Sequence, residues 1–231
     1  MSVHRMDLSA SSEVAEDVAE ERVAQAIEHE IIFGQLSPGQ KLREEDLAAR
    51  YDASRHQVRQ ALVRLERIGI VSRERNRGAA VRSFSPDEVR QIYDIRELLQ
   101  RQAALRIPLP AGEDDIALLT KIQNDYETAI AAGDVHQVHI TNEIFHSTLF
   151  RLCRNEHLVQ LVKQYMDLSY VIRANAFSDE ENLKRSAREH NVMIALLRGT
   201  DSWALAQLCV DHIQLSKTHY LTKLSSPARI E

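Results

Sequence analysis

Along the first third of the chain the apolar positions fall into short helical stripes. Val58, Ala61, Leu62 and Leu65 lie at i, i+3, i+4 and i+7, one face of a helix. Ser54 precedes them, with a hydroxyl able to accept from amides two or three residues on, and Gly69 is placed to end the helix. Upstream, residues 42–51 form a shorter amphipathic segment in which Leu42, Leu47 and Ala48 are apolar. Only Asp52 and Ala53 separate it from the Ser54 helix, the spacing of a helix-turn-helix. Earlier, Val23, Ile27 and Ile31 stack at i, i+4 and i+8 in a first helix over roughly residues 12–34, closed by Gly34. Its acidic Glu13, Glu16 and Asp17 suit the positive end of a helix dipole. Residues 1–11 are polar and expected to be disordered. Beyond Gly69 the pattern shortens to two strands, 70–75 and 79–84, around Asn76-Arg77-Gly78, a hairpin wing.

After Phe84 the helical period returns and holds. Ser85 is placed as a cap with Pro86 as first helical residue. The segments are about 86–107, 113–132, 134–153, 156–177, 179–199 and 201–224, with Asp134, Ser178 and Thr200 as further caps. Short links between long amphipathic helices imply an antiparallel bundle. The expected fold is mainly α: a winged helix-turn-helix of three helices and a small β-hairpin over residues 1–83, then an all-α antiparallel helical bundle over 84–231. Trp203 and Tyr220 read as core or interface residues.

Charge sharpens this division. The chain of 231 residues carries a net −5, against a protein that coats nucleic acid indiscriminately. Yet residues 50–82 hold nine arginines against three acids, a local +6 that leaves −11 elsewhere. A confined basic footprint on an acidic protein suits site-specific binding. Arg55, Arg59, Arg64 and Arg67 supply the basic side of the Ser54 helix, which taken alone also fits plain solvated surface. Cys153 and Cys209 have no framework spacing and read as reduced thiols near the core. No apolar leader or membrane-length segment is visible, so a cytoplasmic location is expected.

Three histidines lie in the bundle. Asn142 and His146 share a face one turn apart, His190 precedes Ile194 and Leu197, and His212 follows Cys209. Spacing alone singles out no site among them.

The motifs go further. Pro38-Gly39-x-x-Leu42, Glu45-x-Leu47-Ala48, Ser54-Arg55-x-x-Val58-Arg59-x-Ala61-Leu62-x-x-Leu65 and Asn76-Arg77-Gly78-Ala79-x-Val81 resemble the winged helix-turn-helix of GntR-type bacterial transcription regulators. The resemblance implies that the Ser54 helix enters a major groove, with Arg55 and Arg59 reading base edges. Arg43, Ser54, Arg77 and Gly78 would contact or approach phosphates. His56 and Gln57 stand where the family commonly has Thr-Pro, so they join the readers and shift the preferred half-site.

Phe145-His146-x-x-Leu149, Asn155-x-x-Leu158, Glu189-His190 and His212-Ile213 resemble the FCD ligand-binding domain of the FadR branch of that family. Such domains often hold a divalent metal, commonly zinc or nickel, on one aspartate and three histidines beside a carboxylate-bearing effector. The resemblance places the metal on His146, His190 and His212, with Asn142 where the aspartate is expected. A neutral amide weakens such a site. Glu143 is the substitute ligand the sequence offers, His139 lying about 10 Å along the axis from His146. A metal-free pocket with three histidines is the alternative. Arg96 matches an arginine of the family's opening pattern, with Gln100 replacing its glutamate. It would take an effector carboxylate or else form a surface pair with Glu97 or Gln100. Tyr170 and Arg173 are expected to line the same cavity.

The resulting expectation is a ligand-responsive regulator that binds a pseudo-palindromic, double-stranded DNA operator as a homodimer and answers to a small carboxylate metabolite. The competing reading is a helical metal-dependent hydrolase using the three histidines. Against it, the sequence has no H-E-x-x-H pair, no phosphate-binding glycine loop and no nucleophile–base pairing; Glu189, adjacent to His190, would point about 100° away from it. A constitutive architectural protein is the third.

Overall fold

The computed structural model describes residues 8–74 and 78–225. The chain divides into two compact units, Met1–Ser83 and Phe84–Glu231.

In the first unit, α1 (Leu8–Ile32), α2 (Glu44–Tyr51) and α3 (Arg55–Arg67) pack with a small antiparallel sheet of β1 (Lys41–Leu42), β2 (Val71–Glu74) and β3 (Gly78–Val81). The core is the expected stripe: Val23, Ile27 and Ile31 of α1 with Val58, Ala61, Leu62 and Leu65 of α3, all buried. α3 opens on a capping box. Ser54 Oγ accepts from the Gln57 amide at 3.2 Å, and Gln57 Oε1 accepts from the Ser54 amide at 2.9 Å. It closes at Gly69, φ +81°, whose amide donates to Glu66 O while Ile70 N reaches Leu65 O. That pairing needs a left-handed residue, and glycine adopts it without strain.

Three readings of this unit change. α1 starts at Leu8, so part of the segment expected to be disordered is helical, and residues 1–7 lie outside the described residues. Asp17 is consequently not in the first turn; with Glu21 it pairs with Arg64 across from α3. Leu42 belongs to a strand rather than to α2, because Lys41 and Leu42 pair with Ala80 and Ala79. β3 is therefore central, in the order β1-β3-β2. The wing tip, residues 75–77 with Arg77, lies outside the described residues.

The second unit is helical: α4 (Pro86–Leu105), α5 (Glu113–Ala132), α6 (Val135–Arg151), α7 (Glu156–Leu168), α8 (Tyr170–Ala174), a 3-10 turn (Asn175–Ser178), α9 (Glu180–Leu197) and α10 (Ser202–Ser225). Ser85 and Glu88 form a second capping box, and Asp134 caps α6. The caps of α9 and α10 are Asp179 and Asp201, not Ser178 and Thr200; carboxylates accept the free amides of Glu181, Asn182 and Ala204. The core joins Phe145, Leu149 and Phe150 of α6 to Ile116 and Leu119, Met193 and Leu197, and Leu205, Ala206 and Cys209. Both cysteines are free and buried, and burial pushes the Cys209 thiol up to about 12. Tyr220 is buried as expected, whereas Trp203 is 67% exposed and belongs to no core.

The expected helix 156–177 is broken at Ser169. Its buried hydroxyl shares its one hydrogen between Tyr165 O at 2.7 Å and Met166 O at 3.1 Å, and Arg173 donates to the same Met166 carbonyl. The Tyr165 carbonyl keeps its main-chain bond from the Ser169 amide at 3.2 Å and takes the hydroxyl as well, and such back-bonding bends a helix. The chain restarts as short turns in which Tyr170 to Phe177 are all buried.

Candidate functional site

The basic face of α3 is built by subtraction. Its apolar side is spent on α1 and the sheet, and Arg64 is spent on α1 acids. Arg55, His56 and Arg59 remain exposed. Arg55 pairs with Glu45, and Arg59 makes a forked contact with Glu44, Nε at 3.1 and 3.3 Å and NH2 at 2.9 Å from its oxygens. The hydrogen bond from Arg59, offset by slight burial, holds the Glu44 carboxyl below its usual value. Arg43 is exposed at the start of α2, and Gly78 (φ +81°) opens β3 with nothing within 4 Å of a Cβ there. Ser54 and the Gln57 oxygen serve the cap of α3, which leaves the Gln57 amide nitrogen as that side chain's outward group.

In the second unit, α6, α9 and α10 bring His146, His190 and His212 together, their ligating nitrogens all within 4.8 Å of one another. His146 Nε2 lies 3.3 Å from His190 Nε2 and 3.2 Å from His212 Nε2. The far side of two rings is fixed. Gln123 of α5 donates its amide to Glu127 at 2.8 Å and Ala187 O at 3.2 Å, so its oxygen faces His190 Nδ1 at 3.0 Å as an acceptor. Glu189 Oε2 accepts from His212 Nδ1 at 2.7 Å, and its other oxygen accepts from Arg185 Nε at 2.7 Å. Both Nδ1 atoms must therefore carry hydrogen, and in the neutral rings both Nε2 atoms present lone pairs. A single N–H on His146 Nε2 satisfies one of them. The set has more electron-pair donors than hydrogens to meet them.

These residues fit a divalent metal. Nitrogens held at about 2.0–2.1 Å around a tetrahedral ion stand about 3.3 Å apart, the separation that His146 keeps from its two neighbours. Burial, then the other imidazoles, hold His146 well below the ordinary histidine value, and burial does the same to His190, which favours in these two rings the neutral form that ligands need. Burial works to raise the Glu189 carboxyl, but hydrogen bonds from His212 and Arg185 outweigh it and hold it below the ordinary range.

The cluster opens into a cavity of about 50 Å³, also lined by Asn142, Arg96, Gln100 and Arg173. Arg96 is not on the surface: it is 3% exposed, stacked 4.7 Å over Tyr93, and its Nε and NH1 have no partner among the described residues. Burial pushes its guanidinium down to about 10. Arg173 binds Glu143 through NH1, and its Nε is likewise unpartnered. Glu143 is thereby committed to Arg173 and does not substitute for the missing aspartate. Tyr170 packs edge-on against His139 at 4.2 Å and is not among the lining residues. Sequence reasoning set Glu189 aside and never reached Gln123; Glu189 does point away from His190, and reaches His212 instead. Neither geometry favours the hydrolase reading, since the carboxylate nearest the histidines is held at both oxygens.

Comparison with known proteins agrees with this division. Residues 19–81 match the model for bacterial regulatory proteins of the gntR family, and residues 91–215 match that of the FCD domain. An uncharacterized HTH-type transcriptional regulator, YdhC of Bacillus subtilis (strain 168), is 26% identical over 82% of this chain and 85% of its own length. The Nta operon transcriptional regulator of Aminobacter aminovorans is 28% identical over 77% and 82%. The solved structure of E. coli McbR/YncC shares the fold, with a TM-score of 0.65 at 19% identity over 90% of this chain and 99% of that one. The chain belongs to the gntR family of bacterial regulatory proteins, with an FCD domain in its second unit: it is a DNA-binding transcription regulator and not an enzyme.

Proposed function

We propose that this regulator is ligand-responsive: a small carboxylate-bearing metabolite enters the cavity of the second unit, beside a zinc or nickel ion on His146, His190 and His212, and changes the affinity of a homodimer for a pseudo-palindromic operator. One observation carries the reading. Beside the three-histidine cluster lies a cavity lined by two buried arginines with unpartnered nitrogens, and the carboxylate bound to Arg173, Glu143, is not among its lining residues. A buried guanidinium with unsatisfied donors, as Arg96 is, is costly, and an anionic ligand relieves that cost. When bound, the metal supplies a Lewis-acidic site for a carboxylate oxygen. Arg96 takes the other end by charge-assisted hydrogen bonds, and Asn142 and Gln100 line the space between them.

At the DNA, Arg55 and Arg59 leave Glu45 and Glu44 for base edges, a low-cost exchange because solvent screens exposed ion pairs and they contribute little. His56 and Gln57 take neighbouring edges, while Arg43, Ser54, Arg77 and Gly78 lie along phosphates. A cytoplasmic site of action follows from that role; among the described residues no helix is long and apolar enough to cross a membrane.

The test selects duplexes from a randomised library with the purified chain, then measures affinity for the winner with and without a panel of small carboxylates, with metal content by mass spectrometry. The expected outcome is a palindromic winner whose affinity shifts with one carboxylate and with chelation. A winner indifferent to both would overturn ligand response.

A further inference from the structure

We infer that Glu189 supplies, from behind His212, the negative charge that Asn142 withholds from the histidine site. The inference rests on the metal reading above and concerns this chain's own residues.

A site of three neutral imidazoles and a neutral amide leaves a dication with its full charge. Glu143 does not reduce it, being bound to Arg173, and among the described residues no carboxylate oxygen joins the three histidine nitrogens within their 4.8 Å cluster. Glu189 stands one layer out. It is mostly buried, 15% exposed, with Oε2 on His212 Nδ1 at 2.7 Å. Arg185, one turn earlier on α9, holds its other oxygen and so fixes the carboxylate's direction. The corresponding position behind His190 is a neutral amide, Gln123. One imidazole therefore has an anionic partner and the other does not. A carboxylate behind a ligating ring fixes its tautomer and raises its basicity. The dication, its neutral ligands and Glu189 sum to the single positive charge that a ligating aspartate would have left; the Arg185 guanidinium lies outside that count, on the far oxygen of Glu189 and half exposed to screening solvent. Glu189 is a positioning residue: it touches the ring, not the ion. The consequence is that the place of Asn142 stays uncharged on the cavity side, where an anionic effector must approach.

Glu189→Gln separates charge from hydrogen bond, because the amide oxygen still accepts from His212 Nδ1. Zinc affinity of the full-length chain is read by competition with a chromophoric chelator for wild type, Glu189→Gln, Asn142→Asp and the double variant. Melting with excess chelator checks each fold without metal. The expected result is a loss of about 10–100-fold in Glu189→Gln and recovery to within about threefold of wild type in the double variant. Zinc binding by Glu189→Gln equal to wild type overturns the inference and leaves the metal reading standing. So does a double variant as weak as Glu189→Gln, which would make Glu189 merely structural. A wild-type chain that takes up no zinc overturns the metal reading itself, and this inference with it.

Discussion

His139 shows how a single half-buried ring writes itself into the pH dependence of stability. It packs between Tyr170 and Phe177, and burial, followed by the charges of Arg173 and His136, holds it well below its usual value of 6.5. The unfolded chain takes up a proton on this residue below pH 6.5 and the native chain does not, so the contribution is complete above 6.5 and is lost as pH falls. The slope is up to about 1.4 kcal/mol per pH unit. His139→Phe keeps a ring against Tyr170 and removes the titration. In urea melts, wild type should lose stability relative to His139→Phe steadily from pH 7 to pH 5; parallel losses would mean that His139 is protonated in the fold. Arg96 is the opposite case, a charge kept buried with two unpartnered nitrogens. Arg96→Met should leave the ligand-free chain as stable as wild type or more so, by about 1 kcal/mol, while effector affinity falls at least tenfold in the same preparation. A destabilised chain would show that Arg96 is a structural residue.

At the scale of elements, α3 separates two uses of arginine on one helix. Arg59 faces out and pairs with Glu44, whereas Arg64 ties α3 to Asp17 and Glu21 of α1. Arg59→Ala is expected to cost about 1–3 kcal/mol of discrimination between selected and mixed-sequence duplexes with little change in melting temperature. Arg64→Ala should lower stability by about 1 kcal/mol or less and leave discrimination intact; footprinting and thermal melts on both variants check the contrast. This helix was fully legible, because its stripe, cap and terminal glycine are all local. β1 was not: two residues become a strand only through pairing with Ala79 and Ala80, far along the chain. The break at Ser169 was hidden for a related reason, since an apolar run through residues 156–177 carries helical periodicity whether or not the ladder is continuous. Asn142 and His146 sit on one turn and could be read as a pair, but Gln123 is 67 residues from His190 and Glu189 23 from His212. Those contacts exist only once α5, α9 and α10 have packed.

For the whole molecule, the proposal of a homodimer has a place to be tested. α4 buries Val89, Tyr93, Arg96 and Gln100 toward the bundle and leaves Ile95 and Leu98 exposed at 38% and 62%, one turn apart on another side. Scattered apolar side chains are ordinary on a surface; the proposed two-fold contact, placed on these two, would remove their area from water. A two-fold pair of winged units would then meet two half-sites about one helical turn of DNA apart. Light scattering on the full chain is expected to give twice the 26.4 kDa of the protomer. Leu98→Glu should shift it toward the protomer mass, since a charge buried without a partner is unfavourable. The same variant should weaken binding to a two-half-site duplex far more than to an isolated half-site, because linked binding depends on both winged units being present together. A Leu98→Glu chain that stays dimeric and footprints both half-sites would move the two-fold axis off α4. A wild-type chain that is monomeric at tens of micromolar and protects only one half-site would remove the axis altogether.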